Sequence, residues 1–184
     1  TGGEPPIDPF SALTENITSS NRRFQDDEVA KTAFANTNKL EDINADDFGR
    51  TPSINEAITF GFNQHILNRT TIMVNMPYVD DAVFLSKKNN FFDKVGLHIN
   101  LDEGVPLTNE IRQCTLFCDE TGQFNGKFRK GKISKLILFD SKARSGCRKE
   151  VEAQILKFKK LGFPLRHADS HHHVHTLPSL LPII

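Results

Sequence analysis

From about Leu40 onward the apolar positions switch repeatedly between two periods. Thr70-Thr71-Ile72-Met73-Val74 and Val95-Gly96-Leu97-His98-Ile99-Asn100-Leu101 have the length and β-branched content of strands. Ahead of the first, Ile54, Ala57, Ile58 and Gly61-Phe62 recur at helical spacing behind Thr51-Pro52, and between the two Val79, Ala82, Val83 and Leu85 do so behind Pro77. A short strand is expected to end at Ile43-Asn44. Glu150–Leu161 reads as an amphipathic helix stopped by Gly162, Pro164–Ser170 as a fourth strand, and Pro178 as the start of another helix. Residues 102–145 show no period. Residues 1–38, rich in Pro, Asn, Ser, Thr and charge, read as an extension or linker with one short helix candidate at Asp26–Phe34. Strand-helix-strand alternation predicts an α/β domain over residues 39–184 with a mostly parallel sheet, open or closed into a barrel. In such folds functional residues gather where strands end.

Composition narrows the function classes. The 23 basic and 23 acidic side chains cancel, which leaves no global field for nucleic acid or an anionic membrane. Fifteen Phe against one Tyr and no Trp assign most aromatic content to packing. No apolar run approaches the ~20 residues of a membrane span. Three cysteines, Cys114, Cys118 and Cys147, form no disulfide framework and read as reduced cytoplasmic thiols. Cys114-x3-Cys118 lacks the second ligand pair of a zinc site. Asn16-Ile17-Thr18 and Asn68-Arg69-Thr70 match a glycosylation pattern too short to inform. The cluster Lys127, Arg129, Lys130, Lys132 and Lys135 reads as a solvated loop face. A start without Met and an end on Leu181-Pro182-Ile183-Ile184 read as a cut at one or both ends.

Three clusters carry chemistry. Asn44-Ala45-Asp46-Asp47-Phe48-Gly49 sets two carboxylates at a strand end before a Gly turn; alternation on a strand sends adjacent side chains to opposite faces. Taken alone, such a pair is most often a cap or turn. Gly96–Gly104 places His98 and Asn100 on one strand face, extended by the Asp102-Glu103-Gly104 turn. In His167-Ala168-Asp169-Ser170-His171-His172-His173-Val174-His175, five polar residues recur at spacing two and share one face if the segment is extended. Its ends would then lie roughly 27 Å apart, so one ion can collect only one or two of them. Two imidazoles and a carboxylate from three strand ends make an open facial metal site, suited to zinc, cobalt or nickel and, through the carboxylate, magnesium.

Together these segments resemble the YdjC/ChbG-like carbohydrate deacetylases: Asn44–Gly49 resembles an N-A-D-D-F-G motif, Gly96–Gly104 a G-L-H-x-N-L-x-E-G motif, and Asp169–His175 a D-S-H-H-H-V-H motif, with Met73–Pro77 in order between them. The resemblance implies an incomplete, distorted (β/α) barrel, truncated here at its C-terminus, and metal-dependent removal of N-acetyl groups from amino sugars such as chitooligosaccharides. It assigns Asp47, His98 and His171 as ligands of a divalent ion (Mg or Zn) and Asp46 as general base. Asn100, Asp169 and His173 would orient ligands or substrate. It implies an N-acetylated oligosaccharide as partner, with a homodimer one assembly open to it. The chain departs from the family at Lys39-Leu40-Glu41-Asp42-Ile43, where two acids replace an apolar first strand; unpaired buried carboxylates are costly, so this strand is expected to be exposed, shifted or divergent. The family also runs on past Ile184 with a Cys-His-Pro-like segment, so the 184-residue piece is expected to be weak or inactive while its parent is a deacetylase. Two other readings stay open: a hydrolase of another bond such as a phosphoester, and a metal- or carbohydrate-binding remnant without turnover.

Overall fold

The computed structural model describes residues 43–130, 139–180 and 183. Residues 1–38 with their helix candidate, the acids Glu41 and Asp42, and Lys132 and Lys135 lie outside the described residues. Strands β1 (Asn44–Phe48), β2 (Arg69–Ile72), β3 (Val95–Ile99) and β4 (Ala168–Ser170) form one parallel sheet in the order β1-β2-β3-β4. Helix α1 (Pro52–Asn63) links β1 to β2 and α2 (Val79–Lys88) links β2 to β3. Between β3 and β4 lie a single-turn α3 (Asn109–Arg112) and a 20-residue α4 (Ser141–Lys160). Among the described residues no helix is long and apolar enough to cross a membrane.

The alternation is as expected, but several boundaries move. β1 begins at Asn44 instead of ending there, so it contains the paired carboxylates. α1 starts as its sequence dictates: Thr51 caps it by accepting from Ile54 N, and Pro52 occupies the first turn, where no N–H is needed. α2 begins at Val79, two residues after Pro77, with Asp80 and Asp81 in its first turn and Lys87 and Lys88 in its last, complementing the helix dipole. α4 opens nine residues before Glu150, capped by the Asp140 carboxylate accepting from Ala143 N. β4 is three residues, not seven, and Pro178 lies in a turn.

Phe48, Ile72, Val95, Leu97 and Ile99 build the sheet's share of the core. Phe62 stacks on Phe91 at 4.1 Å between α1 and the chain after α2, and Phe158 of α4 stacks on Phe163 at 5.1 Å. Phe117 contacts Phe128 and Phe139 under the long β3–α4 connection. Gly96 is required by close approach: a Cβ there would meet the His167 ring at 2.4 Å.

Two buried polar side chains of α4 set the loop that follows β3. Gln154 accepts from Asn100 N and donates to Asn100 O, at 3.0 and 2.6 Å. Glu150 accepts from Leu107 N, Thr108 N, Thr108 Oγ1 and Gln154 Nε2. These bonds satisfy a fully buried carboxylate that has no cation paired with it among the described residues, and they hold the connection after Asp102 and Glu103 against α4.

Candidate metal centre

The strand register explains how both Asp46 and Asp47 reach the same place. Ala45 pairs with Thr70 and Phe48 with Ile72, so two residues of β1 oppose the single residue Thr71. This is a β-bulge, and Asp47 takes φ +68° within it, a conformation Asp tolerates better than most residues. The bulge cancels the alternation expected of adjacent side chains: both carboxylates turn toward His98, while Phe48 returns to the core. Gly49 completes the turn at φ +91°, donating its N–H to Asn55 Oδ1 at 2.7 Å.

At the other side of the sheet, the face expected to extend to His175 ends at Ser170. Residues His171–Thr176 instead coil into a 3-10 turn in which His172 and His173 have φ +52° and +54°. Ser170 Oγ accepts from His175 N at 3.0 Å and contacts His175 Nδ1 at 2.6 Å, closing the turn. The kink points His171 at Asp47 and His172 at Asp102, and leaves His173 exposed beside His175, outside the cluster.

Asp47, His98 and His171 converge. Asp47 Oδ1 lies 3.2 Å from His98 Nε2 and 2.8 Å from His171 Nδ1. Yet Asp47 Oδ1 is buried without a hydrogen bond of acceptable geometry, as is His171 Nε2. Three ligand atoms crowded together without a hydrogen bond of acceptable geometry fit a shared cation: ligands about 2.1 Å from one ion and at right angles stand ~3.0 Å apart. Two nitrogens and one oxygen suit zinc, cobalt or nickel and admit magnesium. Two further groupings share these residues, Asp46-His98-Asp169 and Asp102-His171-His172. Among the described residues, no grouping of this kind contains a cysteine. Burial pushes the Cys118 and Cys147 thiols up, which makes both poor ligands and nucleophiles.

The surroundings fix each ring. His98 Nδ1 bonds Asp169 Oδ1 at 2.5 Å, which directs Nε2 to Asp47. Thr71, which the sequence did not single out, sits with its hydroxyl 3.2 Å from His98 Nδ1, 3.1 Å from Asp169 Oδ2 and 3.4 Å from Asp46 Oδ1. Asp46 is exposed and also accepts from Asn44 Nδ2 at 2.7 Å. Asn100 is buried and committed to the loop: Nδ2 donates to Asn75 Oδ1 and Glu103 O, and Oδ1 accepts from Asp102 N and Glu103 N. It therefore shapes the Asp102-Glu103 turn and does not face the cluster directly. Arg129, expected on a solvated face, instead pairs with the buried Asp102.

Burial opposes charge on Asp47, but the two imidazoles pressed against it outweigh that and hold its carboxyl far below the usual range. Burial likewise pushes His98 down, but Asp169 and Asp47 in contact, with the charges of Asp169 and Asp46, raise it to about 9. His171 is raised in the same way, burial being outweighed by Asp47, Asp102 and Glu103.

Known proteins are similar to this chain in sequence, and a solved structure is similar to it in fold. A carbohydrate deacetylase of Vibrio campbellii is 36% identical over 142 residues, covering 77% of this chain and 52% of its own. One of Oceanobacillus iheyensis is 36% identical over 143 residues, covering 78% and 58%. A crystal structure from Enterococcus faecalis, titled as a candidate cellobiose-phosphate cleavage protein, matches with a TM-score of 0.58 and 27% identity over 76% of this chain and 51% of its own. The chain thus spans about half the length of the relatives it matches. The family model for YdjC-like proteins matches residues 43–184, from the strand that carries the two carboxylates through the histidine turn, and the chain belongs to that family.

Proposed function

We propose that the whole protein is a metal-dependent carbohydrate deacetylase and that Asp47, His98 and His171 hold its divalent ion, zinc or magnesium. The observation that carries this reading is the convergence of two imidazole nitrogens, from His98 and His171, on a buried Asp47 oxygen that makes no hydrogen bond of acceptable geometry. A divalent ion bound there supplies Lewis acidity toward an amide carbonyl and toward water. Asp46, exposed and tethered by Asn44 and Thr71, serves as the general base that takes a proton from the attacking water. Asp169 and Thr71 hold the His98 ring in place. The substrate class is an N-acetylated amino sugar such as a chitooligosaccharide; the names of the curated relatives support the sugar and the deacetylation. The sequential strand order, with each crossover carrying a helix, supports a domain over residues 39–184 that forms part of a distorted (β/α) barrel.

The test is metal content and acetate release measured in parallel for the intact chain, His98→Ala, His171→Ala and Asp46→Asn. Loss of metal in both histidine variants is expected. Asp46→Asn should keep its metal, and in the full-length protein it should lose at least 100-fold in acetate release. Unchanged metal in either histidine variant removes that residue from the centre. A second reading, hydrolysis of another bond such as a phosphoester, draws on the solved relative whose title names cellobiose phosphate. Phosphate release without acetate release across a small sugar panel selects it.

A further inference from the structure

The turn after β1 carries a cation placed between two elements of the centre. Arg50 Nη1 lies 3.1 Å from Asp47 Oδ2, and Arg50 Nη2 lies 2.7 Å from Glu103 Oε2 and 2.9 Å from Glu103 Oε1. Asp47 Oδ1 is the oxygen that faces His98 and His171, so the two oxygens of this carboxylate have separate partners. Glu103 Oε1 in turn stands 3.4 Å from His171 Nε2. The turn that bears Arg50 is itself fixed: Arg50 N donates to Asp47 O at 3.1 Å, and Tyr78 N donates to Gly49 O at 3.1 Å. The Arg50 side chain is only one-third exposed. A planar guanidinium joining carboxylates from two separate segments is a directional clamp, unlike a solvated surface charge.

We propose that Arg50 is a positioning residue that fixes Asp47 as a one-oxygen ligand and ties the β1 turn to the loop behind His171. The inference rests on the reading of Asp47, His98 and His171 as a metal centre. With Oδ2 engaged by Arg50, the carboxylate presents Oδ1 alone and leaves room for water and substrate. Released from Arg50, it is free to turn, and Oδ1 is no longer held toward His98 and His171. The sign of the effect separates this role from simple electrostatics. A guanidinium beside a cation site repels the ion, so charge alone predicts tighter metal binding when Arg50 is removed. Orientation predicts weaker binding.

The experiment is a cobalt titration of the full chain, followed by visible absorption and by chelator competition, on the parent, Arg50→Met, Arg50→Lys and Glu103→Gln. Arg50→Met is expected to lose about 10–100-fold in affinity, the range typical for groups that orient ligands. Its cobalt absorption should also change in shape and intensity, because the Asp47 carboxylate no longer holds one direction toward the ion. Arg50→Lys, able to meet one carboxylate at a time, should recover part of the affinity, and Glu103→Gln should shift in the same direction by less. Undiminished affinity, or a parental spectrum, in Arg50→Met overturns the proposal. Melting curves of the chelator-treated proteins establish that each variant folds. If Arg50→Met does not fold, Glu103→Gln decides, and a parental spectrum there overturns the proposal. A parent chain that takes up no cobalt overturns the metal centre itself, and the role of Arg50 with it.

Discussion

His98 is 2% exposed and lies between Asp47 on one ring nitrogen and Asp169 on the other. This arrangement gives the chelator-treated protein a definite pH dependence. The folded pKa of His98 is raised to about 9 from 6.5. Its contribution to stability is therefore fully present below pH 6.5 and is lost as pH rises through about 9. The loss should be on the order of 2–3 kcal/mol, read from urea midpoints between pH 6.5 and 9.5. Asp169→Asn should flatten that slope, and a stripped protein equally stable at both pH values contradicts it. Metal binding runs the other way: protons compete with the ion for the imidazoles, so affinity should rise over the same interval. Asp169→Asn should also cost about 10–100-fold in metal affinity, because the His98 ring loses the partner that orients it.

At the scale of elements, α4 does more than cover the sheet. Glu150 gathers four donors, three of them from Leu107 and Thr108, and so anchors the loop that carries Asp102 and Glu103. Glu150→Ala should leave those buried donors unpaired and cost roughly 2–4 kcal/mol by urea denaturation, with faster hydrogen exchange at Leu107 and Thr108. A change under 1 kcal/mol would mean that the loop is held by other contacts. The first half of α4 was hidden from the sequence for a physical reason. Its buried positions there are Ala143, Gly146 and Cys147, small residues that let the helix approach α3, where a Cβ on Gly146 would stand 3.4 Å from Ile111 Cα. Small residues among Lys142, Arg144 and Arg148 make no apolar stripe. α1 was legible because its cap, its proline and its period all agree. The bulge at Asp47 and the left-handed pair His172-His173 were not, since both break the period-two rule that made their segments read as strands. His173 pays for that turn without joining the cluster, so His173→Gly should stabilise the protein by up to about 1 kcal/mol in the same assay.

Across the whole molecule, the candidate ligands come from residues 47, 98 and 171, on β1, on β3 and just after β4, in a sheet whose order is sequential. That the chain is α/β with a parallel sheet, and that three distant segments meet, could be read from element alternation and from where the polar residues fall. How they meet depended on backbone detail that no pattern encodes. Because Asp47, His98 and His171 are brought together only when β1, β3 and β4 are all in register, the unfolded chain offers an ion no equivalent site. Binding to the native state alone stabilises by mass action, about 2.7 kcal/mol at an ion concentration 100 times Kd. For a domain of this size that corresponds to a rise in Tm of roughly 5–10 °C. The increment should vanish in Asp47→Asn, although that variant keeps the side-chain volume and the left-handed turn that Asn also tolerates. It should persist in Asp46→Asn, whose carboxylate is exposed and leaves the three ligands in place. Calorimetry with and without zinc separates the two: an equal rise in both variants would mean that the ion binds elsewhere, and the convergence at Asp47 would then be a hydrogen-bonded polar cluster and no metal centre.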